Sequence, residues 1–185
     1  ERDLRCGATR GGVVAGARIV IAGMLIATCM LLPVAGACVL LLLGKWPNAR
    51  ETATLVTGAL TFWFVRGLLP YMREGARPRL DVLEVIPGIE LAFEVEPLGL
   101  LFALVASFLW IVTTLYAIGY MRGHHEENQT RFYFFFAIAI AAAIGVAFSA
   151  NLFTLFTFYE VLTFCTFPLV THHQTDEARK AGRVY

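Results

Sequence analysis

The apolar positions of this chain fall into five long blocks separated by short polar connectors. The blocks lie at roughly 19–43, 52–72, 97–121, 132–149 and 152–171. Each reaches the roughly 18 consecutive apolar residues that read as a membrane-spanning helix. The first block, IVIAGMLIATCMLLPVAGACVLLLL, is too long for the core of a cleavable leader and has no clear small-residue cleavage site, so it reads as a span. Pro33 inside it predicts a kink of the kind that neighbouring helices can accommodate. Pro97 suits the first position of the third helix, and Trp46 suits interfacial depth. Only Ala150 and Asn151 separate the last two blocks, which predicts a tight helical hairpin.

Residues 73–96 break this pattern. After Pro87-Gly88, the apolar Ile89, Leu91, Phe93 and Val95 alternate with Glu90, Ala92, Glu94 and Glu96. Period-two alternation beside a Pro-Gly turn predicts a small β-hairpin. Lipid gives an open sheet edge nothing to bond with, so the hairpin is expected outside the hydrocarbon. The chain then divides into a polar segment at 1–18, two spans within 19–72, an extramembrane hairpin at 73–96, three spans within 97–171 and a polar connector at 172–185. The expected fold class is an all-α polytopic membrane protein with one small β-hairpin.

Composition supports that class. The chain is 58% hydrophobic and 16% charged, against about 45–50% and about 25% in soluble domains. The net charge of +1 gives no bulk attraction to nucleic acid, so the bilayer is the expected surroundings. Lys and Arg outside the spans divide evenly between the two sides, and the positive-inside rule is tied. No cysteines stand in C-x-x-C spacing. Cys29 and Cys38, nine residues apart, point to opposite sides of a helix. With Cys165 they read as small lipid- or helix-facing residues rather than disulfide partners or metal ligands. No haem, flavin, iron–sulfur or nucleotide motif occurs, so no cofactor is expected.

Two ionisable side chains fall inside the spans, Arg66 and Glu160. Arg66 has a stem long enough to snorkel to the nearer interface. Glu160 does not. It lies about eight residues into its helix, or about 12 Å, near the middle of a ~30 Å hydrocarbon slab. An ionised carboxylate there costs several kcal/mol, so the acid must be protonated, paired or beside water. Desolvation favours the neutral acid and a nearby cation favours the carboxylate, and an acid balanced between them exchanges a proton readily. Thr154, Thr157, Thr163 and Thr166 stand at steps of three from Glu160, and the slow rotation of that stripe leaves Thr157 and Thr163 flanking the acid. Their hydroxyls can order water or orient the carboxyl, or they can bond back to their own helix carbonyls. The sequence leaves both open.

His124-His125 and His172-His173 lie in connectors on the same side. Solvated interfacial groups are the plain reading. His172 and His173 are also candidates for collecting protons, because imidazole titrates near neutral pH. Neither pair has a third ligand at fixed spacing, so no metal is expected. Asn128-Gln129-Thr130 matches a glycosylation acceptor sequence.

The stretches EPLGLLFALVASFLWIVTTLYAIGYM and RFYFFFAIAIAAAIGVAFSANLFTLFTFYEVLTF are similar to the N-terminal third of an antiporter-like membrane subunit. The carrying pieces are Glu96-Pro97-Leu98-Gly99, Tyr116 to Met121, Asn151-Leu152-Phe153 and Phe158-Tyr159-Glu160. Position 96 is more often Asp in that family, and the first two spans match only in pattern. The family includes the large subunits of Mrp-type sodium/proton antiporters and the proton-pumping subunits of respiratory complex I and of membrane-bound hydrogenases. The resemblance implies about fourteen helices, with broken helices in inverted repeats. It implies that Glu160 is the essential acid of a proton path and works with a lysine on a seventh span. It implies a cell-membrane location with the hairpin and the N-terminus outside. The connectors at 44–51, 122–131 and 172–185 would then be cytoplasmic and the acceptor sequence idle.

The leading expectation is therefore the N-terminal part of a proton-translocating subunit of an Mrp-like cation/proton antiporter complex, exchanging protons for Na⁺ or a similar cation. Its partners would be other membrane subunits, and it would be a transporter subunit rather than an enzyme by itself. Two alternatives stay open: a pump subunit of a complex I-like oxidoreductase or a hydrogenase, and a truncated, non-transporting assembly subunit.

Overall fold

The computed structural model describes residues 2–124, 128–171 and 180, with the backbone alone over 2–15. In chain order the elements are α1 (Arg2–Leu42), α2 (Pro47–Arg66), α3 (Leu69–Arg73), β1 (Arg79–Ile86), β2 (Ile89–Glu94), α4 (Pro97–Gly123), α5 (Gln129–Ala147) and α6 (Leu152–Val170). Five described stretches are long and apolar enough to cross a membrane: Gly16–Leu42, Pro47–Arg73, Pro97–Gly123, Gln129–Ala147 and Leu152–Val170. The molecule is a multi-pass membrane protein of five spans with a small antiparallel sheet between the second and third.

Helix boundaries follow the prolines. α1 is helical from Arg2, so the polar start and the first span share one helix, which continues through Pro33. α2 begins at Pro47, where a missing N–H costs nothing because no helical partner exists for it. That start lies upstream of the apolar block and draws Arg50 and Glu51 into the helix. At the other end, Pro70 has no N–H to offer the carbonyl of Arg66. The backbone tightens instead, with Gly67 N–H bonding Phe64 O at 3.0 Å and Leu68 N–H bonding Val65 O at 3.1 Å. The second span is thus broken into α2 and the short α3.

β1 and β2 pair from Arg79↔Glu94 to Ile86↔Ile89, with irregularities at Asp81/Leu83 and Glu84/Ile86. Pro87-Gly88 makes the turn, and Gly88 takes φ +85, a conformation that costs other residues more. On β1, the hydrogen bond and charge of Asp81 push the Arg79 guanidinium above its ordinary value.

The outer edge of β2 is not open. Glu94 N–H donates to Phe148 O at 2.7 Å, Ala150 N–H donates to Ala92 O at 3.0 Å, and Phe93 forms a bridge with Ser149. The turn between α5 and α6 serves as a third, minimal strand. This is why Ala92 and Phe93, on opposite sheet faces, are both buried. The main core gathers around that junction: Ile26 of α1, Val65 of α2, Phe93 of β2, Leu100 of α4 and Ile144 of α5.

Small residues set how closely the helices approach. A Cβ on Gly99 would collide with the carbonyl oxygen of Ala147, and one on Gly145 would collide with the ring of Phe158. Close backbone approach through small residues is how helices gain contact where lipid offers no hydrophobic drive. Gly99→Ala and Gly145→Ala are each expected to destabilise the detergent-solubilised protein by about 1–3 kcal/mol in reversible unfolding. Gly119, with no atom within 4 Å of its Cβ position, should accept Ala without loss.

Candidate functional site

The site is built on α6. Asn151 caps the helix by accepting from Thr154 N–H at 2.8 Å, and its amide donates to Glu90 O at 2.7 Å. Thr154 is fully buried, and its hydroxyl oxygen accepts from Ala92 N–H at 3.1 Å. One turn on, Phe158 meets the Phe93 ring edge-on, with centroids 5.3 Å apart and planes at 74°. The sheet therefore holds the first half of α6 at three successive levels.

Thr154, Phe158 and Cys165 share the bundle-facing side of α6. Glu160 follows Phe158 by two residues, about 200° around the helix, and so projects away from the bundle. It is half-buried among apolar neighbours on that outer side: Phe156 is 60% exposed, Phe164 74% and Phe167 46%. Only 11% of the α6 span is buried inside the structure, against 28–39% for the other four. Among the described residues, no hydrogen bond or ion pair reaches the Glu160 carboxyl. In hydrocarbon a carboxyl needs a partner or water, and the open face of α6 is where either would be brought.

The flanking threonines bond back to their helix. Thr157 Oγ1 donates to Phe153 O at 2.9 Å and Thr163 Oγ1 donates to Tyr159 O at 3.0 Å. Their protons are committed, and their lone pairs remain free to accept from water or from a protonated carboxyl. His172 and His173 lie outside the described residues, as does His125. His124 stacks on Tyr120 at 4.3 Å. Cys29 and Cys165 are buried free thiols and Cys38 is an exposed one. Among the described residues no group of three or more His, Cys, Asp or Glu is placed to hold a metal. Arg66 is the last residue of α2, with its guanidinium 5.9 Å from the Trp63 ring centroid.

A second polar site, which the apolar-block pattern does not reveal, lies where α2, α4 and α5 meet at the connector end. Arg50 and Glu51 are 4% and 5% exposed. Glu51 takes a two-point ion pair from Arg122, through Nε at 3.0 Å and through Nη2, and Arg122 also donates to Asn48 at 2.6 Å. Arg50 donates to Thr130 at 3.0 Å and to Gln129 at 2.6 Å, and its guanidinium lies 5.4 Å from the Tyr133 ring centroid. Gln129 and Thr130 of the glycosylation acceptor sequence thus act as ligands for a buried arginine. The readable signal was Pro47: a helix started there places residues 50 and 51 in its first turns rather than in a connector. At the same end Arg131 donates to Pro168 O at 3.2 Å and ties the start of α5 to the end of α6.

Residues 87–133 match the family model for NADH-ubiquinone oxidoreductase (complex I), chain 5 N-terminus. A Staphylococcus aureus protein, from strain MRSA252, named as antiporter subunit mnhD2 is 28% identical over 158 residues, covering 84% of this chain and 31% of that protein. The protein of the same name in strain JH9 gives the same figures. The chain is similar in sequence to antiporter subunits and, over residues 87–133, to a complex I subunit. A chain of an archaeal respiratory membrane complex, the membrane-bound sulfane sulfur reductase, shares the fold, with a TM-score of 0.64 and 22% identity over 77% of this chain and 22% of that one. This antiporter-like chain spans about a third of the length of the curated relatives it matches. The family-model match runs from the hairpin turn through β2 and α4 into α5, and so includes Gly99, Arg122 and the Arg50 ligands Gln129 and Thr130.

The Glu51–Arg122 pair gives a direct test of the connector-end cluster. Arg122→Ala leaves a buried carboxylate unpaired and is expected to cost about 1–3 kcal/mol. The double variant Glu51→Ala/Arg122→Ala should cost less than the sum of the single changes in a double-mutant cycle of detergent unfolding. Strict additivity would mean that the pair contributes no coupling.

Proposed function

We propose that this chain is the N-terminal part of a proton-translocating membrane subunit of an Mrp-like cation/proton antiporter complex, with Glu160 on the proton path. The observation that carries this reading is Glu160 itself: a half-buried carboxyl on the least buried span, unpaired among the described residues and set among exposed phenylalanines. An acid in that setting is expensive unless its charge changes hands during function. A water chain brings a proton to Glu160 and takes it onward. A cation arriving at the open face of α6 favours the ionised form and its withdrawal favours the neutral one. Thr157 and Thr163 offer acceptor oxygens to that water. His172 and His173 collect protons at the cytoplasmic surface, the N-terminus and hairpin face outward, and Na⁺ or a similar cation is exchanged. Partner membrane subunits complete the complex in the cell membrane.

The match to the complex I family model favours a second reading, in which redox chemistry in a partner drives the same acid. Proton movement that needs an electron donor and ignores Na⁺ would select it.

The test is transport by membrane vesicles carrying the complete complex. Glu160→Gln is expected to lower proton flux at least about 100-fold at unchanged protein level, the scale of a lost proton-transfer group. Glu160→Asp should retain part of the flux. Thr157→Val and Thr163→Val should each slow it about fivefold, the worth of one hydrogen bond. Full transport in Glu160→Gln would sink both readings and leave the chain an assembly subunit.

A further inference from the structure

The break between α2 and α3 opens a cleft of about 320 Å³, lined by Trp63, Arg66, Gly67, Leu69, Pro70 and Arg73. Trp63, Arg66, Pro70 and Arg73 are exposed, and Gly67 and Leu69 are half-buried. Arg66 and Arg73 have no ion-pair partner among the described residues. The neighbouring groove is different: there Arg18 pairs with Glu74, Arg77 with Glu96, and Arg79 with Asp81 and Glu90. Two uncompensated guanidiniums therefore converge on one cleft while the nearby arginines are neutralised. Arg66 stands about 29 Å along α2 from Pro47, at the hairpin-side end of the span, where a long side chain reaches the headgroup layer. Leading to the cleft along α2 is an exposed apolar stripe of Val56, Leu60 and Trp63, spaced i, i+4, i+7 on one helix face.

We propose that this cleft binds an anionic phospholipid, its phosphate held between Arg66 and Arg73 and one acyl chain lying along Val56, Leu60 and Trp63. Guanidinium groups present forked donors that match phosphate oxygens. The indole of Trp63 sits at the level that aromatic residues favour at a membrane surface. Charge complementarity selects an anionic headgroup, and the stripe selects a ligand with a tail.

The experiment is native mass spectrometry of the complete subunit in detergent, titrated with phosphatidylglycerol and, separately, with phosphatidylcholine. Wild type should retain phosphatidylglycerol preferentially. Arg66→Gln/Arg73→Gln should weaken that retention about 30-fold, as expected for two arginines at an anionic lipid surface. Arg66→Lys/Arg73→Lys should retain more than the double Gln variant but less than wild type, because lysine keeps the charge and loses the fork. Arg77→Gln should leave retention within about twofold. Thermal unfolding of lipid-free samples separates lost binding from lost folding. Equal retention of phosphatidylcholine, an unchanged double Gln variant, or displacement by inorganic phosphate at matching concentration would overturn the proposal. So would a double Gln variant that releases a neighbouring subunit while lipid retention stays the same, because the arginines would then serve a protein carboxylate.

Discussion

The main-chain pairing between β2 and the turn at 148–150 is the constraint on which the rest of the structure depends. Two hydrogen bonds, Glu94 N–H to Phe148 O and Ala150 N–H to Ala92 O, close the sheet edge that would otherwise face lipid or water. The same contact fixes where α5 stops and α6 starts. Asn151, Thr154 and Phe158 then extend it one turn at a time onto β2. α6 packs its bundle-facing side on α5, with Phe158 against Gly145, and the sheet contacts reinforce that rotation, which leaves Glu160 on the open side.

The opposite end of the bundle is organised by charge. Arg122 clamps Glu51, Arg50 is held by Gln129 and Thr130, and Arg131 reaches the carbonyl of Pro168. These bonds join α2, α4, α5 and α6 where no sheet is present. The Glu51–Arg122 pair adds little net stability but penalises other arrangements, since the buried Glu51 left alone would be an unpaired charge. The bundle is thus pinned at both ends, by backbone pairing on one side and arginine side-chain bonds on the other, with mostly apolar side chains and small residues between them.

Much of this was legible in the sequence. Five apolar blocks announced five spans, Pro87-Gly88 with alternating apolar residues announced the hairpin, and a lone acid in FTLFTFYEVLTF announced Glu160. Those features are local, and periodicity or composition reports them. The third edge of the sheet was hidden because it pairs residues 92–94 with 148–150, and nothing in Phe148-Ser149-Ala150 looks like a strand. The charged cluster was hidden because its members sit in two separate connectors, and only Pro47 hinted that one of them was helical. The break at Gly67-Leu68 passed as part of a continuous apolar block, although Pro70 carried its cause. For Thr157 and Thr163 the sequence offered two hydrogen-bonding choices of similar strength, and the structure makes the local one.

The central claim is that Glu160 is a carboxyl that carries a transported proton at the open face of α6. The most direct measurement is labelling of the complete complex with a hydrophobic carbodiimide, which attacks protonated carboxyls in apolar surroundings. The modified fraction of the Leu152–Val170 segment would be read by mass spectrometry beside proton flux. The account predicts that Glu160 is modified, that flux falls in proportion, and that the transported cation protects the site. Complete modification with flux intact, or flux lost while Glu160 stays unmodified, would contradict it.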